Sequence, residues 1–190
     1  AIVTGAASGI GLALTKNLVA RSWNVVMADI SSSGYELAAS IGSKQQVSFC
    51  ETDVTSWKSQ VELFRFAEQK YGSVNFVAAN AGIDDRDDVY ERFDGKEVPD
   101  PLNLKTYEVD LFGALYSYRL ALHYFRKNNP TGGKLVFTSS SAGVYSFPSN
   151  PEYCSIKHAL VGFTRSVAPL LKQENIAVNA VLPALVVTKL

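Results

Sequence analysis

The chain is poor in several things, and each shortage narrows its chemistry. It has two cysteines, Cys50 and Cys154, in 190 residues. That is too few for a disulfide framework and points to a reducing compartment, with the cytoplasm as the expected location. It has no charge bias: eighteen basic residues balance eighteen acidic ones. Nothing in that balance recommends nucleic acid or an anionic membrane surface as a partner. Apolar runs are too short to span a bilayer, and no secretory pattern opens the chain. The two histidines, His123 and His158, lack metal-ligand company, so no metal site is expected. Internal repeats, low-complexity tracts and linkers are missing too. What remains is 47% hydrophobic and 19% charged, a composition that fits one globular domain over residues 1–190 with a full core.

The most informative stretch comes first. Ala1 to Thr4 is a short apolar run, and Gly5-Ala6-Ala7-Ser8-Gly9-Ile10-Gly11 follows it directly. Leu12, Ala13, Leu14, Leu18 and Val19 then recur at helical spacing. A strand turning through glycines into a helix is how a dinucleotide-binding βαβ unit begins. Gly5 suits a turn that a Cβ would forbid. Gly9 suits close approach of a pyrophosphate, and Gly11 suits helix-to-sheet packing. The first amides of the helix, here near Ile10, face the phosphate, and Ser8 can cap the helix or bond a phosphate oxygen. No Lys-Ser/Thr pair follows, as a triphosphate loop would need. The plainer alternative is a tight turn without a ligand.

Strand and helix signals alternate from there on. Further strands are expected at Asn24 to Ala28, Val47 to Cys50, Val74 to Ala79, Lys134 to Thr138 and Ile176 to Leu182. Helices are expected at Tyr35 to Ile41, from Ser56 to near Gly72, over Leu104 to Phe125 and over Pro151 to Lys172. Apolar strands each followed by a helix imply an α/β fold, a doubly wound parallel sheet covered on both faces. Ligands of such sheets bind beyond the carboxyl ends of the strands, where Asp29, Asp53, Asn80, Ser140 and Pro183 fall. Two stretches depart from the rhythm. Asp84 to Pro101 is polar and acidic, either an insertion over the cleft or a solvated loop without a role. The Leu104–Phe125 helix carries a second apolar set, Phe112, Tyr116 and Leu120, which fits either a subunit contact or burial within the monomer.

Three candidates carry chemistry. Asp29 stands about twenty residues after the glycine turn, where a carboxylate accepts from both ribose hydroxyls of adenosine. It would repel a 2′-phosphate by on the order of a few kcal/mol and so favour NAD over NADP. An exposed strand-end Asp is the alternative. Tyr153 and Lys157 lie four apart on one helix face, and no other tyrosine has lysine at that spacing. A phenol working as a base near neutral pH must have its phenolate favoured by roughly 4 kcal/mol, and a nearby ammonium acts in that direction. Chance on an amphipathic helix produces the same spacing. Ser140 ends a strand beside the cleft and can donate to a substrate oxygen; a serine turn satisfying its own backbone is the alternative. No Gly-x-Ser-x-Gly elbow surrounds it.

Taken together, Thr4 to Gly11, Asn80-Ala81-Gly82, Ser140 and Tyr153-x-x-x-Lys157 resemble the short-chain dehydrogenase/reductase family, compact subtype, in order over essentially the whole chain. The stretch from Leu111 to Asn129 and the acidic insertion look most like fungal alcohol dehydrogenases of that family, including those similar to 15-hydroxyprostaglandin dehydrogenase. The resemblance implies an NAD-dependent enzyme passing hydride between a secondary alcohol or ketone and nicotinamide. Tyr153 would be its acid/base, Lys157 would aid Tyr153 and hold the ribose, and Ser140 would orient the substrate oxygen. Asp53 and Val54 would contact adenine, and Asn80, Ala81 and Gly82 would line the cleft. Val186 and Thr188, after Pro183, would hold the carboxamide. A homodimer or homotetramer through the long helices is expected. Two residues depart from the family pattern. Asp110 stands where Asn is usual; the family's relay uses mainly the main-chain carbonyl there, which survives the change, and the added carboxylate would either shift nearby pKa values or demand a new partner. Ala184 stands where Gly usually follows Pro183. The chain starts inside a strand and ends just after one, so it is expected to be cut at both ends, with the lid and last strand following Leu190. The alternative reading is a non-catalytic NAD-binding module or redox sensor.

Overall fold

A computed structural model describes residues 1–92, 95 and 98–186. Six strands form one parallel sheet: β1 Ile2–Thr4, β2 Val25–Asp29, β3 Val47–Glu51, β4 Phe76–Ala79, β5 Gly133–Thr138 and β6 Ile176–Val181. Their spatial order is β3-β2-β1-β4-β5-β6. The chain steps outward from β1 to β3, crosses back, and steps outward again from β4. That reversal leaves a crevice beyond the carboxyl ends of β1 and β4. The helices are α1 Gly9–Ala20, α2 Gly34–Ile41, α3 Trp57–Tyr71, α4 Gly113–Lys127 and α5 Pro151–Leu171. The architecture is the doubly wound α/β sheet implied by the alternating signals.

Alternation along the strands builds two cores. Val3, Val25, Met27, Val47 and Phe49 face Leu18 of α1 and Ala38 of α2. Ile2, Val26, Val77, Leu135, Phe137 and Val178 face Leu63, Phe64, Phe125 and Leu160 of α3, α4 and α5. The central strands are apolar along their whole length because both faces are covered. Among the described residues no helix is long and apolar enough to cross a membrane.

Element ends follow local chemistry. Ser56 caps α3 by accepting the Ser59 amide at 3.2 Å, and Gly72 ends it at φ +79°. The helix expected from Leu104 differs. Leu104 is exposed and precedes the helical residues, and Tyr107–Phe112 form a π-helical turn before α4 begins. A pattern of 3.6 residues per turn does not reveal an i→i+5 turn, and such turns gather at functional sites. This one aims Asp110 into the interior, where it is 1% exposed. Of the second apolar set, Leu120 is buried, Tyr116 packs edge-on against Trp57 at 5.5 Å, and Phe112 is half exposed.

Candidate active site

The glycine turn is tight enough to explain its composition. Gly5 and Gly9 have φ of +63° and +49°. A Cβ on Gly11 would lie 2.1 Å from the Gly5 carbonyl oxygen, and one on Gly5 would lie 2.8 Å from Ala81 Cα. No side chain caps α1: Ser8 sits at the N-cap without a capping bond, and no acidic residue stands in the first turn. The capping role open to Ser8 in the sequence is therefore not taken. Small residues and open helix amides make a cradle that fits a dinucleotide pyrophosphate.

The carboxylates are preset by backbone amides. Asp29 Oδ2 accepts the Ala7 amide at 2.9 Å, and Oδ1 accepts the Ser31 amide at 3.0 Å. Asp53 Oδ1 takes the Thr55 amide and hydroxyl at 2.9 and 2.8 Å, which leaves Oδ2 for a ligand. Asn80 has an interior task. It donates to the carbonyls of Thr4 and Gly5 at 3.1 and 3.4 Å and accepts from Thr138 Oγ1 at 2.9 Å. A cavity of about 560 Å³ gathers Gly5, Ser8, Gly9, Ile10, Asp29, Asp53, Val54, Asn80, Ala81, Gly82, Asp110, Tyr153 and Lys157 along its wall. A larger basin of about 970 Å³ opens at the opposite ends of the strands and holds none of these residues. Volume alone does not mark the chemistry.

Lys157, 3% exposed, is the centre of the polar set. Its Nζ lies 2.9 Å from Asp110 Oδ2, donates to the Thr138 carbonyl at 3.2 Å, and stands 4.9 Å from the centroid of the Tyr153 ring. Asp110 Oδ1 accepts the Ile83 amide at 2.7 Å. Burial pushes the Asp110 carboxyl above the usual aspartate range, with the Lys157 charge and the Ile83 amide acting the other way. The partner that the added carboxylate needs is thus Lys157 itself. Residue 110 reaches the site through its side chain.

Other sequence candidates are not among the residues that line this cavity. Ser140 Oγ accepts the Ala142 amide at 3.2 Å and heads the short 3₁₀ turn Ser141–Gly143. Its own proton has no acceptor among the described residues. Gly11 is buried beneath the turn. The Pro183 carbonyl accepts the Ser141 amide at 2.8 Å, and Val186 is half exposed. Neither is among the residues lining that cavity; Thr188 lies outside the described residues. His158 faces solvent, its Nδ1 3.0 Å from the Cys154 carbonyl. Among the described residues no three His, Cys, Asp or Glu side chains gather as a metal site would need.

Sequence reasoning missed two tethers. Thr4 Oγ1 accepts the amides of Asn80 and Ala81 at 3.0 and 3.1 Å, joining β1 to β4. Asp85, in the acidic stretch, accepts two amides of α5. The first had a signal in the Thr before the glycine turn. The second had none, because its partners are 67 and 68 residues away.

The model of the short chain dehydrogenase family matches residues 1–190. The short-chain dehydrogenase/reductase prx6 of Penicillium rubens is 32% identical over 201 residues, covering 99% of this chain and 67% of the relative. The (S)-acetoin-forming diacetyl reductase of Staphylococcus epidermidis is 30% identical over 193 residues, covering 100% of this chain and 72% of the relative. Among solved structures, a short-chain dehydrogenase/reductase from Burkholderia phymatum in complex with NAD superposes with a TM-score of 0.87 at 23% identity, over 98% of this chain and 66% of that one. A 3-ketoacyl-(acyl-carrier-protein) reductase from Brucella melitensis complexed with NADH gives 0.85 at 23% identity, over 96% and 73%. At that identity the superpositions speak for the fold. The chain spans about two thirds of the length of the first relatives. With a family match along its whole length and relatives above 30% identity, it belongs to the short chain dehydrogenase family of oxidoreductases.

Proposed function

We propose that the protein is an NAD-dependent oxidoreductase acting on a secondary alcohol or the corresponding carbonyl, with Tyr153 as its acid/base. One observation carries the reading: Tyr153 and Lys157 share a cavity wall with the glycine turn and Asp29. NAD, when bound, supplies the hydride acceptor, and NADH the donor. Gly5, Gly9 and the open amides of α1 hold its pyrophosphate, and Asp29 takes ribose hydroxyls and disfavours a 2′-phosphate. In oxidation Tyr153 accepts the hydroxyl proton of the substrate; in reduction it returns that proton to the carbonyl oxygen. Lys157 has three protons. The Thr138 carbonyl takes one, Asp110 lies at ion-pair distance, and a proton is left for the phenol or a ribose hydroxyl. Ser140, whose proton is uncommitted, donates to the substrate oxygen.

The Staphylococcus relative is a diacetyl reductase, which supports a small carbonyl as the substrate class. The narrower likeness to fungal alcohol dehydrogenases rests on the acidic insertion and on Leu111 to Asn129, and several relatives are fungal. Pairing of subunits through the long helices belongs to the same reading; Leu170 of α5 is exposed, as is Phe112 at the end of the π turn before α4. Calorimetric titration with NADH and NADPH tests the cofactor, and Tyr153→Phe tests the acid/base. Tight NADH binding, weak NADPH binding and an inactive Phe variant that still binds NADH are expected. Turnover by Tyr153→Phe would overturn the assignment.

A further inference from the structure

The helix that carries Tyr153 has no cap of its own. α5 starts at Pro151, and Asn150, at its N-cap position, makes no capping bond. The Asn150 side chain donates to Asp84 Oδ1 at 2.8 Å instead. The first-turn amides would be orphaned, but a residue from the loop after β4 takes two of them. Asp85 Oδ2 accepts the Glu152 amide at 3.1 Å, and Asp85 Oδ1 accepts the Tyr153 amide at 2.7 Å. A carboxylate bridging two such amides makes charge-assisted bonds and meets the positive end of the helix dipole.

Asp85 is itself held in place. Two residues back, the Ile83 amide donates to Asp110 Oδ1 at 2.7 Å. The Asp84 carbonyl accepts from the hydroxyl of the fully buried Thr106 at 3.1 Å. Asp87, two residues on, accepts the Asn103 amide. Residues 83–85 therefore form a strap. It leaves the cofactor cleft at Gly82, passes Asp110 and ends on α5.

We infer that Asp85 is a positioning residue for Tyr153, fixing the backbone of the acid/base from outside its own helix; this rests on the role given to Tyr153 above. The stretch of α5 that matters is pinned at both ends. Lys157 is held by Asp110, by Thr138 and by Ser139 Oγ, which donates to the Lys157 carbonyl at 2.9 Å. Tyr153, one turn earlier, is held by Asp85. Without Asp85 the first turn loses its acceptors and frays, and Tyr153 lies within that turn. A displacement of about 1 Å at a reacting group costs on the order of 100-fold in rate.

The test compares Asp85→Ala and Asp85→Asn with wild type in the full chain. Three quantities are read: kcat and KM with an alcohol, NADH affinity by calorimetry, and amide hydrogen exchange at Tyr153. Asp85→Ala should lower kcat by about 10- to 100-fold, leave NADH affinity unchanged and speed exchange at Tyr153. Asp85→Asn keeps one amide-accepting oxygen and should recover part of the rate. An unchanged kcat, or NADH affinity falling in step with kcat, would overturn the inference. So would unaltered exchange at Tyr153. If the wild type turns over no alcohol while exchange still responds to Asp85→Ala, the oxidoreductase reading fails and the clamp on α5 stands.

Discussion

Asp110 and Lys157 hold each other in a place where neither charge would be stable alone. Both are nearly inaccessible, and removing one partner of such a pair strands the other. Asp110→Ala leaves the Lys157 ammonium with the Thr138 carbonyl as its acceptor, and a loss of about 3–5 kcal/mol is expected in urea unfolding. Asp110→Asn keeps an oxygen for the Ile83 amide and should lose less. Glu152 is the opposite case, a buried carboxyl with neither oxygen bonded among the described residues. Burial, then the charges of Asp85 and Asp87, push its pKa above the usual 4.5. Folded Glu152 thus keeps its proton to a higher pH than it does in the unfolded chain. Its contribution to stability is complete below the unfolded value and is lost as pH rises through the folded one. Glu152→Gln cannot titrate, so its urea midpoint should vary less with pH over that window and should match or exceed wild type at neutral pH. A Gln variant that follows the wild-type curve would remove Glu152 from the account.

Elements are joined by fewer residues than their packing implies. Gln60 of α3 is fully buried and donates to the carbonyls of Val54 and Gly113 at 2.6 and 2.8 Å. Ser117 Oγ donates to Gln60 Oε1 at 2.7 Å. One side chain thus ties α3 to the start of α4 and to the loop where Val54 meets the cofactor cavity. Gln60→Leu conserves volume but leaves two carbonyls and a hydroxyl unsatisfied, at about 1–3 kcal/mol each before relaxation. A fall in Tm of roughly 5–10 °C is expected for a chain of this size, read by circular dichroism, together with weaker NADH binding because Val54 loses its support. None of this was legible beforehand, since a lone Gln inside an amphipathic pattern gives no sign of its partners. The strands were legible because continuous apolar runs end at Asp29, Asn80 and the Ser139–Ser141 turn. The ends of α3 were legible because Ser56 and Gly72 act on their own neighbours. The π turn and the Asp85 clamp were not, since one breaks the helical period and the other spans a long loop.

At the scale of the molecule, the two walls of the cleft come from different halves of the sheet. The glycine turn and Asp29 extend β1 and β2; Tyr153 and Lys157 sit on α5, packed beside β5 and β6. The halves meet where β1 pairs with β4, through Ile2↔Val77 and Val3↔Ala78. That contact is short, and polar bonds reinforce it beyond the last paired residues. Asn80 binds the carbonyls of Thr4 and Gly5 on one side and Thr138 on the other, while the Thr138 carbonyl accepts from Lys157. A residue read from the sequence as cleft lining is thus a joint between the glycine turn and Lys157. Its removal should therefore disturb both functions at once. Tyr153→Phe is expected to lower kcat alone, and changes at Asp29 to alter cofactor choice alone. Asn80→Ala deletes three hydrogen bonds across the joint and should weaken NADH binding and lower kcat together, each by at least about tenfold for a loss of roughly 1.4 kcal/mol. Calorimetry and steady-state rates on the same preparation separate these patterns. If Asn80→Ala affects only one of the two quantities, the halves of the site are coupled elsewhere.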